Sequence, residues 1–461
     1  MKHARTQEEK YQYLTGEKIP RLIWSMAVPT IITMLVSSFY NMADTFFVGR
    51  ISTSASGAVG VVFPLMNIIQ ALGFTFGHGA GNYIARALGR QEKQDAEAMA
   101  STGFFSALLA GALFMGLGLL FLEPLVKLLG ATDTIAPHAK SYAFYILLAA
   151  PFMVSSFVLN NLLRFQGSAF YSMIGMCSGA VVNIALDPLF IFGLDMGVGG
   201  AALATALSQT TSFVLLLIGC TKGGNIPIRL RNFKPSLWRY REILRGGLPS
   251  LCRQGLASVA TICLNVAAGP YGDAAIAAMS IVSRIMQFAF SMVLGLGQGF
   301  QPVCGFNYGA KLYNRVREAF WYCVRIAFFV LLFFSALGIV FAPQLLSLFR
   351  ADDAEVIAIG ALALRLQCAV FPTVAYVVLC NMYLQTIGKA FKASLLSMAR
   401  QGLFFLPAIL ILPRIFGLLG VQMSQCVSDA CAFLLALPLG LSTLRQMREE
   451  KGERIGGQAD L

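Results

Sequence analysis

The chain has 461 residues, of which 57% are hydrophobic and only 12% charged, with a formal net charge of +13. Soluble domains carry charge on about a quarter of their residues, so the composition excludes a water-soluble globular protein and points to a chain dissolved in lipid. The basic excess would suit a nucleic-acid partner, but its distribution, set out below, argues against one.

A stretch of about 20 mostly apolar residues crosses a bilayer. Twelve such stretches follow one another, near 22–48, 54–80, 98–122, 134–157, 169–193, 199–220, 246–268, 274–300, 318–342, 355–380, 392–413 and 417–441. The expected architecture is therefore all-α and integral to the membrane. Residues 1–20 are expected as a polar, basic lead-in, 21–220 as a first set of six spans and 221–245 as a basic linker. Residues 246–441 are then a second set of six spans, and 442–461 a tail. The first apolar run is too long for the core of a signal peptide and has no small-residue cleavage site after it.

Basic residues set the topology. With the N-terminus inside, 25 of the 35 Lys and Arg fall at cytoplasmic ends and loops, five on the opposite face and five within spans. That is the positive-inside pattern, with contact to anionic lipid as its corollary. Both termini are then expected on the cytoplasmic side of a bacterial inner membrane. The ten Cys are scattered through apolar spans without a CxxC pair and read as buried neutral thiols. The His residues, His3, His78 and His138, have no Asp, Cys or Ser at catalytic spacing, so no enzyme is expected.

The two sets of spans echo each other. At an offset of 220, "GFTFGHGAGNYIARALGR" lies over "VLGLGQGFQPVCGFNYGA", placing Gly77, Gly79 and Gly89 on Gly297, Gly299 and Gly309, and Met66 on Met286. "VLNNLLRFQGSAF" resembles "VLCNMYLQTIGKAF" with one residue extra in the second, and "FGLDMGVGG" echoes "FGLLGVQM". Six spans per half is an even number, so both halves enter from the same side. Parallel repeats about an axis along the membrane normal have that property.

Of the 22 Asp and Glu, only Asp44, Asp187 and Asp429 fall within spans. An acid at mid-bilayer costs roughly 2.5–3.5 kcal/mol on insertion scales and marks a functional site by default. At 1.5 Å per residue, Asp44 lies roughly 6 Å below the outer end of the first span, and Asp187 and Thr205 roughly 9 Å below those of the fifth and sixth. Asn183, four residues before Asp187, shares its helical face. Two carboxylates, an amide and a hydroxyl at one level form an all-oxygen set that suits a proton or a hard monovalent cation. Pro29 removes a backbone hydrogen bond from the first span and permits a bend, and Pro188 loosens the fifth.

Each residue also has a plainer reading. Asp44 can cap a helix end, Asp187 can end the fifth span before proline, and Thr205 can be a packing hydroxyl. Asp429 either pairs with an intramembrane arginine or faces water. Arg253, Arg284, Arg325, Arg365 and Arg400 either snorkel or line a polar cavity.

At these residues the chain resembles the multidrug and toxic compound extrusion (MATE) family. "MADTFFVGR", "VVNIALDPLF", "GVGGAALATALSQ", "GLPSLCRQGLAS" and "GLLGVQMSQCVSD" carry the resemblance, which covers essentially the whole chain. It implies twelve helices in two pseudo-symmetric six-helix lobes, alternately open to either face. It implies export of amphipathic, often cationic compounds in exchange for H+ or Na+, with no other cofactor or metal. The family's cation site then falls on Asp44, Asn183, Asp187 and Thr205, and its bending proline on Pro29. The additional acids that the NorM-like branch places in helices seven and ten are missing, since "GLPSLCRQGLAS" offers Arg253 and Gln254 and helix ten only neutral residues around Asn381. The chain looks closer to the DinF-like and MepA-like branch. Asn41, Met66, Met286 and Phe290 are candidates for a substrate cavity, with packing as the alternative. The partners expected are such substrates and membrane lipid, with the protein a monomer. A lipid-linked saccharide flippase of the same superfamily is the rival function.

Overall fold

A chain in hydrocarbon must satisfy its own backbone hydrogen bonds, so only helices and closed barrels span a bilayer. The structure, a computed structural model, describes residues 6–349 and 353–459, and every regular element among them is helical. Twelve helical segments are long and apolar enough to cross a membrane.

The first half holds α1 (Gln7–Gly16), α2 (Ile19–Gly49), α3 (Thr53–Gly89), α4 (Lys93–Leu120), the short α5 (Leu122–Leu128), α6 (Ala136–Phe165), α7 (Ala169–Pro188) and α8 (Gly197–Thr221). The second holds α9 (Leu237–Ala268), α10 (Asp273–Gly309), α11 (Tyr313–Val340), α12 (Ala342–Ser347), α13 (Ala354–Thr386), α14 (Ala390–Met398), α15 (Phe405–Phe416) and α16 (Leu418–Ala459). The fifth span continues past α7 as a π-helical turn, Leu189–Gly193, and another, Ala399–Leu403, joins α14 to α15. In the first lobe α6 packs on α3, α4 and α8; in the second α13 packs on α10, α11 and α16.

The repeat is visible in the backbone. Helix α4 and helix α11 match at both ends with an offset of 220, and the residues preceding them, Gln91 and Lys311, take the left-handed conformation at φ 63° and 61°. Gly167 and Gly388, at φ 79° and 84°, turn the chain after α6 and α13 in the same way. The correspondence fails in the fifth and eleventh spans. The π turn follows a 20-residue helix in one and a 9-residue helix in the other.

Three segments are more ordered than sequence alone suggests. The lead-in contains α1, opened by a capping box in which the Thr6 hydroxyl accepts from the Glu9 amide (3.2 Å) and the Glu9 carboxylate from the Thr6 amide (2.9 Å). The Thr-x-x-Glu spacing is the signal for it. This helix buries Leu14 and Lys10, whose Nζ donates to Ser168 Oγ (2.8 Å) and Asn225 Oδ1 (2.5 Å). Helix α9 starts at Leu237, capped by Ser236, so the basic run to Arg245 is helix, not linker. Helix α16 runs on to Ala459, through the segment expected as a tail.

Lipid tails are as apolar as leucine, so a membrane-spanning helix can leave apolar side chains on its outer surface. Leu109, Leu113, Leu117 and Leu120 on α4 are 69%, 62%, 51% and 73% exposed and form one helical stripe.

The lobes meet at the end where the chain starts. Across them, Thr30 Oγ1 donates to Gly295 O (2.7 Å), Arg86 Nη1 to Thr386 O (2.6 Å), Asn307 Nδ2 to Leu14 O (3.0 Å) and Arg315 Nη2 to Glu17 O (2.6 Å). Backbones touch there: a Cβ on Gly79 would collide with the Ile243 carbonyl, and one on Gly309 with the Arg86 carbonyl. Small residues allow such approach between membrane helices. The molecule is thus closed at its N-terminal end. Overpacking a site of this kind costs about 1–3 kcal/mol, so Gly79→Ala is expected to open that end. Spin labels on Lys93→Cys and Asn314→Cys, in a chain with its native cysteines replaced, should report longer distances in the variant; an unchanged distribution would contradict the closure described.

Candidate functional site

Helices α2, α7 and α8 of the first lobe carry the embedded oxygen atoms. Asn183 Nδ2 donates to Asp187 Oδ1 and to Thr205 Oγ1, both at 3.4 Å, and all three side chains are buried. One helical turn separates Asn183 from Asp187, so both point the same way from α7, and α8 packs along that face. Asp44, on α2, lies within electrostatic reach of Asp187. The structure therefore gathers Asp44, Asn183, Asp187 and Thr205.

Several of these atoms have no partner. Asp44 Oδ1, Asn183 Oδ1, Asp187 Oδ2 and the neighbouring Gln209 Oε1 are buried without a hydrogen bond among the described residues. All four are acceptors. A buried acceptor left unsatisfied costs about 1–3 kcal/mol, and more when it is charged. What the cluster lacks is therefore positive: a proton on a carboxyl, or a monovalent cation between the oxygens. Either fits the donor set.

Sequence reading missed Tyr40, Tyr142 and Gln209. Tyr40 sits beside Gln209 and within the field of both carboxylates, as does Tyr142, which sits beside Thr205. Tyr40 lies four residues before Asp44 and Gln209 four after Thr205, so a single helical step from each candidate would have found them. Nothing local marks Tyr142, which comes from α6.

Pro29 lies within α2, which stays helical from Ile19 to Gly49. The Thr33 hydroxyl donates to the Pro29 carbonyl at 2.9 Å. After Pro188 the fifth span widens into its π turn, a feature that recurs at functional sites.

The second lobe is built differently. Arg400, carried on the π turn of the eleventh span, pairs with Asp429 of α16: Nε to Oδ1 is 2.7 Å and Nη2 to Oδ2 3.4 Å. Gln425 Nε2 also donates to Asp429 Oδ1 (2.8 Å). Asp429 is thus the partner of an intramembrane arginine. A cleft of two adjoining chambers opens beside this pair. Arg253, Gln254 and Phe290 line the first, Met286 and Phe290 the second, and the Arg400 guanidinium stacks 4.5 Å over the Phe290 ring. Met66 lies elsewhere, against the Tyr142 hydroxyl (3.8 Å). The side chain of Asn41 lies outside the described residues. Of the other arginines, Arg284, Arg325 and Arg365 are exposed.

A family model described as MatE matches residues 29–189 and 249–410. The multidrug export protein MepA of Staphylococcus saprophyticus is 27% identical over 457 residues, covering 98% of this chain and all of the relative. MepA of Staphylococcus aureus is 27% identical over 452 residues, with 98% and 100% covered. A solved structure described as the outward-facing conformation of a multidrug resistance MATE family transporter of the MOP superfamily superposes with a TM-score of 0.89. It is 28% identical, covering 96% of this chain and 99% of that one.

Removing one partner of a buried ion pair leaves an uncompensated charge and costs on the order of 3 kcal/mol. The pairing implies that Asp429→Asn causes a marked loss of thermal stability in detergent, largely restored in Asp429→Asn/Arg400→Gln. Equal melting of single and double variants would show the pair to be unimportant.

Proposed function

The chain belongs to the MatE family, and from that premise we propose that it is a secondary active exporter of amphipathic compounds, driven by exchange for H+ or Na+. The observation that carries the coupling is the set of buried acceptor atoms at Asp44, Asn183 and Asp187 with no donor. A bound proton or sodium ion satisfies them; its departure leaves two carboxylates facing each other in a layer of low dielectric.

That difference can move the lobes. Shifting a two-state equilibrium from 1:99 to 99:1 takes about 5.5 kcal/mol of differential affinity. Satisfying several buried acceptors at about 1–3 kcal/mol each is a term of that size. Helix α2 transmits it, because it carries Asp44, packs on α7 in its own lobe and packs on α10 of the other. A change in how closely Asp44 approaches Asp187 therefore changes how α2 sits against α10, with Pro29 the place where α2 bends. Substrate occupies the second-lobe cleft, lined by Met286 and Phe290, while the cation occupies the first lobe. The charge distribution supports a bacterial inner membrane with both termini cytoplasmic, which makes the closed end cytoplasmic and the conformation outward-open.

In proteoliposomes with sodium and pH gradients imposed separately, wild-type protein should drive efflux of an amphipathic dye with one gradient or both. Asp44→Asn should lower gradient-driven efflux to the level of protein-free vesicles while folding and insertion stay intact. Undiminished efflux by that variant would defeat the coupling assignment.

A further inference from the structure

The embedded charge has opposite sign in the two lobes. Asp44 and Asp187 make the first negative. In the second, neither chamber of the cleft is lined by an acid, whereas Arg253 and Arg400 both line it. Arg400 is answered by Asp429. Arg253 is not: among the described residues its guanidinium has neither a carboxylate at ion-pair distance nor a hydrogen-bond acceptor.

The surroundings add to this charge. Arg253 lies within electrostatic reach of Arg164 and His78. Arg164 is 1% exposed, and its guanidinium meets Gln298 Oε1, Asn161 Oδ1 (2.5 Å) and His78 Nε2 (3.1 Å). Those partners are amides and an imidazole; none is a carboxylate. Arg253 in the cleft and the buried Arg164 nearby thus have no negative counterpart among the described residues. While the cleft is wet, water solvates Arg253. A substrate that fills the chamber expels that water, and an uncompensated charge in a dry site costs several kcal/mol. A purely cationic substrate makes this worse; an anionic group answers it with charge-assisted, bidentate hydrogen bonds.

We propose that the inner end of the second-lobe cleft is an anion receptor: Arg253, flanked by Gln254 and Gln287, binds the carboxylate, phosphate or sulfonate group of an amphipath whose apolar body lies against Phe290 and Met286. The inference rests on the export reading and narrows its substrates to zwitterions and anions.

The test uses a rhodamine with a free carboxylate and its methyl ester, which differ only in that charge. Binding is followed by fluorescence anisotropy on the full-length protein in detergent. Wild-type protein should bind the acid more tightly than the ester. Arg253→Gln should weaken the acid by at least about tenfold and leave the ester unchanged. The isosteric Gln287→Glu should weaken the acid and tighten the ester, and it serves if Arg253→Gln does not fold. Competition of added phosphatidylglycerol with the acid identifies a lipid headgroup as an occupant; lack of competition leaves a solute as the source of the anion. Tighter wild-type binding of the ester, or variants that shift acid and ester alike, would overturn the proposal. Binding in detergent needs no ion gradient. Discrimination retained without driven efflux counts against the export reading alone, and efflux without discrimination against the receptor alone.

Discussion

Buried oxygen acceptors without donors are costly in any protein, and more so in a layer where no water stands by to replace the missing partner. The first lobe holds such atoms on Asp44, Asn183 and Asp187, from two helices that reach the same level. A fold that only needed to be stable could place apolar side chains there. Retaining the acceptors makes sense if a small cation or a proton comes and goes, because the arrangement is complete only when one is present. Helix α2 then gains its importance: one of its ends carries a carboxylate of the cluster, and its length lies against the opposite lobe.

The fold was legible in the sequence because a bilayer leaves the chain few choices. Span length, the distribution of Lys and Arg, and Gly77, Gly79 and Gly89 recurring at one offset suffice for twelve helices in two related lobes. Gly79 and Gly89, with Gly299 and Gly309, sit where backbones of opposite lobes touch, whereas Gly77 and Gly297 face side chains of their own lobes. Less legible were the segments outside the hydrocarbon. Helix α1 and the start of α9 are polar and charged, so an apolar window passes over them, although the Thr6 and Ser236 caps announce both.

Within the site, the four oxygen-bearing residues could be found from depth and helical spacing because each lies on a helix whose ends are readable. Tyr142 could not, since its place beside Thr205 depends on how α6 packs. Arg253 and Arg400 were visible as intramembrane charges, but the sequence does not say which arginine is paired. The π turn at Ala399–Leu403 settles that by presenting Arg400 to Asp429. The fifth and eleventh spans are also where the repeat breaks down. The two halves differ where the charged residues are: the first carries Asp44 and Asp187, the second Arg253 and the Arg400–Asp429 pair.

The most direct measurement is an equilibrium titration of purified protein, following bound radiolabelled sodium and protons released to a pH dye in parallel, across the pH range in which the protein stays folded. The account predicts that wild-type protein exchanges sodium, protons or one for the other at a site that disappears in Asp44→Asn/Asp187→Asn. Identical sodium binding and proton exchange by the two proteins would contradict it.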